Sequence, residues 1–230
     1  MKTIGLIGGM SWESTITYYQ LLNEAAKDVL GGLHSAKILL YSVDFFEIEA
    51  LMSSGNWDAA ADLLGGVAER LQHAGADFVL ICTNTLHKVA PQVQARITVP
   101  LVHIAEAAAD ELLAKGIHRV ALLGTKYTMT QEFYRNKLVN RGIEVLIPEE
   151  DDIDLVNRVI FDELCLGIVK PESKAEYLRV IKELQLRGAE GALLGCTELG
   201  LIVSQEDVAL PLFDTTVIHA KKAAQLALEA

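Results

Sequence analysis

The 230-residue sequence holds only three cysteines, Cys82, Cys165 and Cys196. Three thiols at irregular spacing cannot build a disulfide framework, and without a Cys-x-x-Cys pair or a Cys/His cluster they point to no metal site. They suit a reduced, cytoplasmic compartment. No apolar run approaches the roughly 20 residues of a bilayer span, so no membrane role is expected. Positive charge is scarce too. With 20 Lys and Arg against 31 Asp and Glu, the formal net charge is -11 and no basic stripe appears, which excludes a nucleic-acid partner. A small anionic substrate stays open, because local donors matter more than the global sum. Linkers rich in Pro, Gly or Ser and low-complexity tracts are also missing, so any domains should pack closely. Disorder is excluded by 51% hydrophobic against 22% charged residues. The stretch Met1–Gly9, with one lysine and a short apolar run, reads as a first strand rather than a signal peptide.

Several catalytic motifs are absent as well. Gly8-Gly9-Met10-Ser11-Trp12 lacks the Gly-x-Gly-x-x-Gly spacing and no Gly-Lys-Ser/Thr follows, so nucleotide binding has no support. Glycines there still free backbone N–H groups to face an anion at a helix start. No Gly-x-Ser-x-Gly elbow or Ser-His-Asp order exists for hydrolysis by an activated serine.

What the chain does have is a repeat. Gly75-Ala76-Asp77-Phe78-Val79-Leu80-Ile81-Cys82-Thr83-Asn84-Thr85 aligns without a gap on Gly188-Ala189-Glu190-Gly191-Ala192-Leu193-Leu194-Gly195-Cys196-Thr197-Glu198. In both copies a Gly-Ala-acid turn leads into a short apolar run, the pattern of a buried parallel strand, and the run ends in small polar residues. The match pairs Cys196 with Thr83, whereas Cys82 falls opposite Gly195. Two further matches follow: Thr3–Ile7 with Arg119–Leu123, and Val99–Val102 with Leu210–Phe213. The offsets are 116, 113 and 111 residues in chain order.

Strand candidates alternate with amphipathic helices throughout, which predicts an α/β protein of two pseudo-symmetric domains, each a four-stranded parallel sheet flanked by helices. Strands are expected at 4–7, 37–43, 78–81 and 101–104, then at 119–123, 144–147, 191–194 and 210–213. Helices are expected at 12–30, 57–74, up to 115, and at 128–141, 152–166, 171–187 and 217–228. The last helix should return to the first half, giving domains of 1–98 plus 217–230 and of 99–216. Ligands of parallel sheets gather at the carboxyl ends of strands, so Gly8–Ser11, Thr83–Thr85, Thr125–Thr128 and Cys196–Glu198 should converge in an inter-domain cleft.

Cys196 is the first candidate for chemistry. Backbone N–H groups and a following helix would lower its thiol from about 8.5 toward neutrality, making a base or nucleophile; the alternative is a buried structural cysteine. Cys82 should point away from the cleft if Thr83 points into it, since side chains alternate along a strand. Cys165, before Gly167, either reaches the cleft or fills a gap. Thr128 and Gln131 are spaced as a capping box, and this turn reads equally as a helix cap or a carboxylate site. His87 reads as a proton-transfer aid or a capping residue.

Together Gly8-Gly9-Met10-Ser11, Cys82-Thr83-Asn84-Thr85-Leu86-His87 and Gly195-Cys196-Thr197-Glu198 resemble the aspartate/glutamate racemase family, within the wider Asp/Glu/hydantoin racemases, over nearly the whole chain. The resemblance implies an amino-acid substrate, homodimers, no pyridoxal phosphate or other cofactor, and two opposed acid/base residues, usually both cysteines. This chain departs from it where relatives read Cys-Asn-Thr: Thr83 stands first, leaving Cys196 as the conventional thiol. The resemblance assigns Cys196 to the L-enantiomer and Thr83 to the opposite face. Met10, Ser11, Met52, Asn84, Thr85, Thr125, Thr128, Cys165 and Thr197 are the expected substrate contacts. No Lys or Arg lies between Ile38 and Glu69, so Lys126 and Lys170 are the cations at hand for a distal carboxylate. The rival readings are a one-cysteine decarboxylase, a maleate-type isomerase, and a non-catalytic binding protein.

Overall fold

The structure, a computed structural model, describes residues 1–229. The first stretch runs β1 (Ile4–Gly8), α1 (Trp12–Leu30), β2 (Ile38–Ser42), α2 (Phe45–Ser53), α3 (Trp57–His73), β3 (Phe78–Ile81), a 3₁₀ turn (Thr85–Val89), α4 (Ala90–Gln94) and β4 (Leu101–Val102). Its four strands are all parallel, in the order β2-β1-β3-β4. β1 and β3 are buried along their whole length, as their unbroken apolar runs require of strands covered on both faces. Helix starts follow side-chain chemistry. Ser11 accepts the Ser14 N–H at 3.3 Å to begin α1, and Asn56 accepts the Ala59 N–H at 3.2 Å to begin α3. The helix α2, absent from the sequence reading, is opened by Asp44, which accepts from the Phe46 N–H at 3.0 Å.

The second stretch runs α5 (Ile104–Ala114), β5 (Arg119–Gly124), α6 (Lys126–Thr130), α7 (Glu132–Val139), β6 (Glu144–Leu146), α8 (Glu150–Asp162), a 3₁₀ turn (Leu164–Leu166), α9 (Pro171–Leu186), β7 (Gly191–Gly195), 3₁₀ turns at Leu199–Leu201 and Gln205–Asp207, β8 (Leu212–Asp214) and α10 (Thr215–Leu228). Its strand order, β6-β5-β7-β8, again all parallel, repeats that of the first sheet. The continuous helix expected over 128–141 is instead two. Thr125, not Thr128, takes the cap position and accepts the Thr128 N–H at 3.3 Å, and Gln131 is extended between α6 and α7. The Thr128–Gln131 capping box is therefore absent. Similarly, the helix expected to 166 ends at Asp162 and closes in a 3₁₀ turn.

The chain divides into two compact units, Met1–Ile104 with the segment from Thr216 onward, and Ala105–Thr215. The boundary expected after residue 98 falls after Ile104, because β4 pairs with β3 and so completes the first sheet. In the first unit Ala220, Ala223, Ala224 and Ala227 of α10 share a core with Tyr18 and Leu22 of α1 and with Ile4, Phe78 and Leu80. Small residues let that helix lie close to the sheet layer. In the second, α5 is tied to α7 by the Glu106–Lys137 ion pair and to the turn after it by Asp110–Arg141.

The repeat has a physical basis in hydrogen bonding. Gly75 and Gly188 adopt φ of 101° and 97°, which a side chain would strain, and the acid two residues later clamps the adjacent strand. Asp77 accepts from the Thr3 N–H at 2.6 Å; Glu190 accepts from His118 and Arg119 N–H groups at 2.7 and 3.0 Å. Gln94 accepts from the Leu101 N–H and donates to the carbonyls of Ile97 and Val99. Gln205 does the same for Leu212, Val208 and Leu210.

Candidate active site

At the strand ends of the first unit, Gly9 turns the chain from β1 into α1 at φ 90°, so close to the backbone at Val43 that a Cβ would lie 2.3 Å from its carbonyl oxygen. The Gly9 N–H donates to Thr15 Oγ1 at 2.8 Å, which in turn donates to the Ser11 carbonyl. Met10 and Ser11 are buried beside this turn, and Met52 is buried on α2. Thr83, Asn84 and Thr85 follow β3 directly; Thr83 keeps 9% of its surface exposed, whereas Asn84 and Thr85 are buried deeper.

Cys82 lies among Ile4, Leu6, Tyr18 and Ala223 in the hydrophobic core, fully buried, and burial pushes its thiol far up. It thus faces the sheet–helix layer, as alternation from Thr83 requires. His87, fully enclosed, uses both ring nitrogens. The Ile104 N–H donates to Nε2 at 3.2 Å, so Nε2 is an acceptor and the proton resides on Nδ1, which donates to the Thr83 carbonyl at 2.7 Å. The imidazole is a strap between the turn after β3 and the start of α5, just beyond β4. His103 lies tilted against it at 4.5 Å between centroids and His219 lies edge-on at 5.8 Å. His219 donates from Nε2 to the Val102 carbonyl and accepts at Nδ1 from the Tyr18 hydroxyl, each at 2.8 Å. Burial, together with His87 nearby, lowers the pKa of His219 to about 3 and keeps it neutral.

At the strand ends of the second unit the chemistry is different. Cys196, 7% exposed, donates its thiol proton to Glu198 Oε2 at 3.0 Å, and Thr197 Oγ1 donates to the same oxygen at 2.7 Å. Glu198 is itself buried. The thiol is raised well above its ordinary 9.0, first by burial, then by the Glu198 charge and the hydrogen bond to it, then by Cys165. This overturns the expectation of a thiol lowered by a helix start. Only a three-residue 3₁₀ turn follows, too short for a macrodipole, and an anion sits where a cation would be needed.

Thr125 and Thr128 lie at the end of the neighbouring strand β5, their hydroxyls 3.2 Å apart, and a Cβ on Gly195 would come within 3.2 Å of Thr128 Cγ2. These threonines therefore stand against the residue before Cys196. Cys165, half-buried on its 3₁₀ turn, is near enough to influence both Cys196 and the Tyr177 phenol, which is buried and donates to the Val156 carbonyl at 2.9 Å. Lys126 and Lys170 are each engaged at the surface, by Asp154 at 2.7 Å and Glu163 at 3.0 Å.

The likeness to known proteins runs over nearly the whole chain. The Asp/Glu/hydantoin racemase model matches residues 7–223. The chain belongs to that family. Members with similar structures include a candidate Asp/Glu racemase from Yersinia pestis, 53% identical with a TM-score of 0.94, and an aspartate racemase homologue from Pyrococcus horikoshii OT3, 38% identical with a TM-score of 0.86; in both pairs each chain is covered completely. Among curated relatives, the broad specificity amino-acid racemase RacX of Bacillus subtilis is 24% identical over 95% of each chain.

The sequence reading passed over Glu198 as a partner of the thiol and treated His87 as a possible end-cap. The repeat carries a signal for the first: Glu198 stands where the other copy has Thr85, a charge in place of a small hydroxyl. It carries one for the second too, since His87 falls opposite Gly200.

Proposed function

We propose that this racemase inverts aspartate or glutamate without a cofactor, with Cys196 serving the α-carbon of the L-enantiomer and Thr83 the opposite face. The observation that carries the reading is the thiol held 3.0 Å from the Glu198 carboxylate at one strand end, with an alcohol in the repeat-equivalent place at the other. A thiol raised in pKa needs an acceptor to become a base, and Glu198 supplies it. The Sγ proton passes to Glu198; the thiolate then takes the α-proton of the substrate. The electron pair left on the α-carbon delocalises into the substrate carboxylate, and a proton arrives from the other face. Asn84 and Thr85, with backbone N–H groups beside them, are the donors for that growing charge, while the Thr197 hydroxyl is spent on Glu198.

Thr83 holds its proton at neutral pH, so it serves the far face by passing a proton from water to the carbanion and being reprotonated by that water. The two faces are therefore unequal. Exchange of the α-proton of an L-substrate should outrun appearance of the D-product. The equilibrium constant of racemisation is one, so kcat/KM is equal in the two directions and the inequality resides in kcat and KM separately. Deuterium wash-in followed beside circular dichroism checks this. Equal rates of exchange and inversion would remove the assignment of Thr83, and exchange surviving Cys196→Ser within about tenfold would remove that of Cys196, since general acid/base loss costs roughly 10²–10⁴.

A further inference from the structure

Resting on the reading above, we propose that His87 is a positioning residue for the alcohol face: by holding the Thr83 carbonyl it fixes where the Thr83 hydroxyl stands, and so controls inversion without controlling proton removal by Cys196. Three observations converge. His87 is 1% exposed and commits both ring nitrogens to backbone, one to Thr83 at 2.7 Å and one to Ile104 at 3.2 Å. The Thr83 carbonyl is the atom nearest along the chain to the Asn84-Thr85 turn that would face substrate, so an error there moves all three residues.

The fold does not demand this strap. Gly200 occupies the matching place beside Cys196, Asp214 matches His103 and Ala108 matches His219, so the whole histidine group belongs to one copy. The strand end bearing a thiol instead has its own carboxylate. The division follows from the chemistry of the two acids. A thiol can be switched by a neighbouring charge, whereas an alcohol near neutral pH cannot, and its usefulness depends on its position relative to water and the α-carbon. Misplacement by about 1 Å costs on the order of a hundredfold in such a transfer.

The test compares His87→Asn, whose amide nitrogen approximates Nδ1 and can still donate to Thr83, with His87→Leu, which cannot. In His87→Leu the inversion rate should fall at least about tenfold while L-substrate deuterium exchange stays within about threefold; His87→Asn should keep the ratio of the two within about threefold of the parent. Exchange and inversion falling together in His87→Leu, or an unchanged ratio, would overturn the proposal. A second arm needs no turnover. In a Thr83→Cys background, iodoacetamide alkylation of the introduced thiol, followed by peptide mass, should change at least about threefold on adding His87→Leu and little on adding His87→Asn. No change in that arm removes the strap whatever the activity. If the alkylation arm responds but the unmodified enzyme shows no Cys196-dependent exchange, the racemase reading fails and the positioning of Thr83 stands.

Discussion

The two units use one scaffold for two unlike strand ends. Strand order, the glycine turn, the clamping acid and the glutamine that closes each loop are shared, down to which carbonyls the glutamine reaches. Beyond the last apolar residue of β3 and β7 the copies part: Thr83, Asn84, Thr85 and His87 face Cys196, Thr197, Glu198 and Gly200 in the alignment. The difference reaches the helices behind. Tyr18 of α1 and Tyr134 of α7 match at the same offset as the first strands, and both are fully buried, but only Tyr18 meets a histidine. The match to His219 in the second unit is Ala108, and the Tyr134 hydroxyl has no hydrogen-bond partner among the described residues. Backbone interactions were kept through the duplication, while side chains near the sites were free to diverge.

The comparison can be sharpened first at the thiol. Replacing Glu198 by Gln should reduce L-substrate exchange by about ten- to a hundredfold, because the proton acceptor of the thiol is lost. An unchanged exchange rate would break the dyad. With Glu198 intact, the fraction of free thiolate should keep rising with pH beyond 9, as the raised pKa requires; alkylation of Cys196 from pH 7 to 10 measures it.

The next largest effect concerns stability of the first unit in acid. His219 has a folded pKa near 3, below its ordinary 6.5, so neutral burial favours the fold above pH 6.5 and that contribution is lost as pH falls toward 3, when the unfolded chain gains a proton that the folded one refuses. The loss amounts to a few kcal/mol at most. Urea unfolding at pH 7 and pH 4.5 should show a smaller difference in His219→Gln than in the parent chain.

The smallest effects come from the paired tyrosines. Tyr18→Phe should cost about 1–2 kcal/mol by leaving His219 Nδ1 without its donor, whereas Tyr134→Phe should be neutral or stabilise by up to about 1 kcal/mol, since it deletes a buried hydroxyl that bonds to nothing. Equal losses in thermal unfolding would mean that the asymmetry is not energetic.

Much of the scaffold was legible because its signals are local. β3 begins and ends where the apolar run does, and α1 occupies Trp12–Leu30 between Ser11 and Gly31, a cap and a stop. The helix α2 was missed although Asp44 and Glu47 have capping-box spacing, because its apolar residues, six of nine, are spread around the helix and show little helical period. The split at Gln131 follows from Thr125 capping the Thr128 N–H one turn early, with the Gln131 N–H taken by the Tyr127 carbonyl, which composition does not decide. At the strand ends, the repeat paired Cys196 with Thr83, and the alternation rule turned Cys82 inward. It could not give the state of the thiol. Whether an adjacent carboxylate points at a sulfur or away from it depends on the turn that follows, and here that turn is too short to supply the opposing dipole.

The last helix has one more implication, for how the molecule is made. Residues 105–215 form a continuous unit and can complete their core as soon as they leave the ribosome, whereas the sheet carrying Thr83 waits with Tyr18 and Leu22 uncovered until α10 is synthesised. The half that begins first is finished last, and truncation at the carboxyl terminus would injure the amino-terminal sheet rather than its neighbour in sequence.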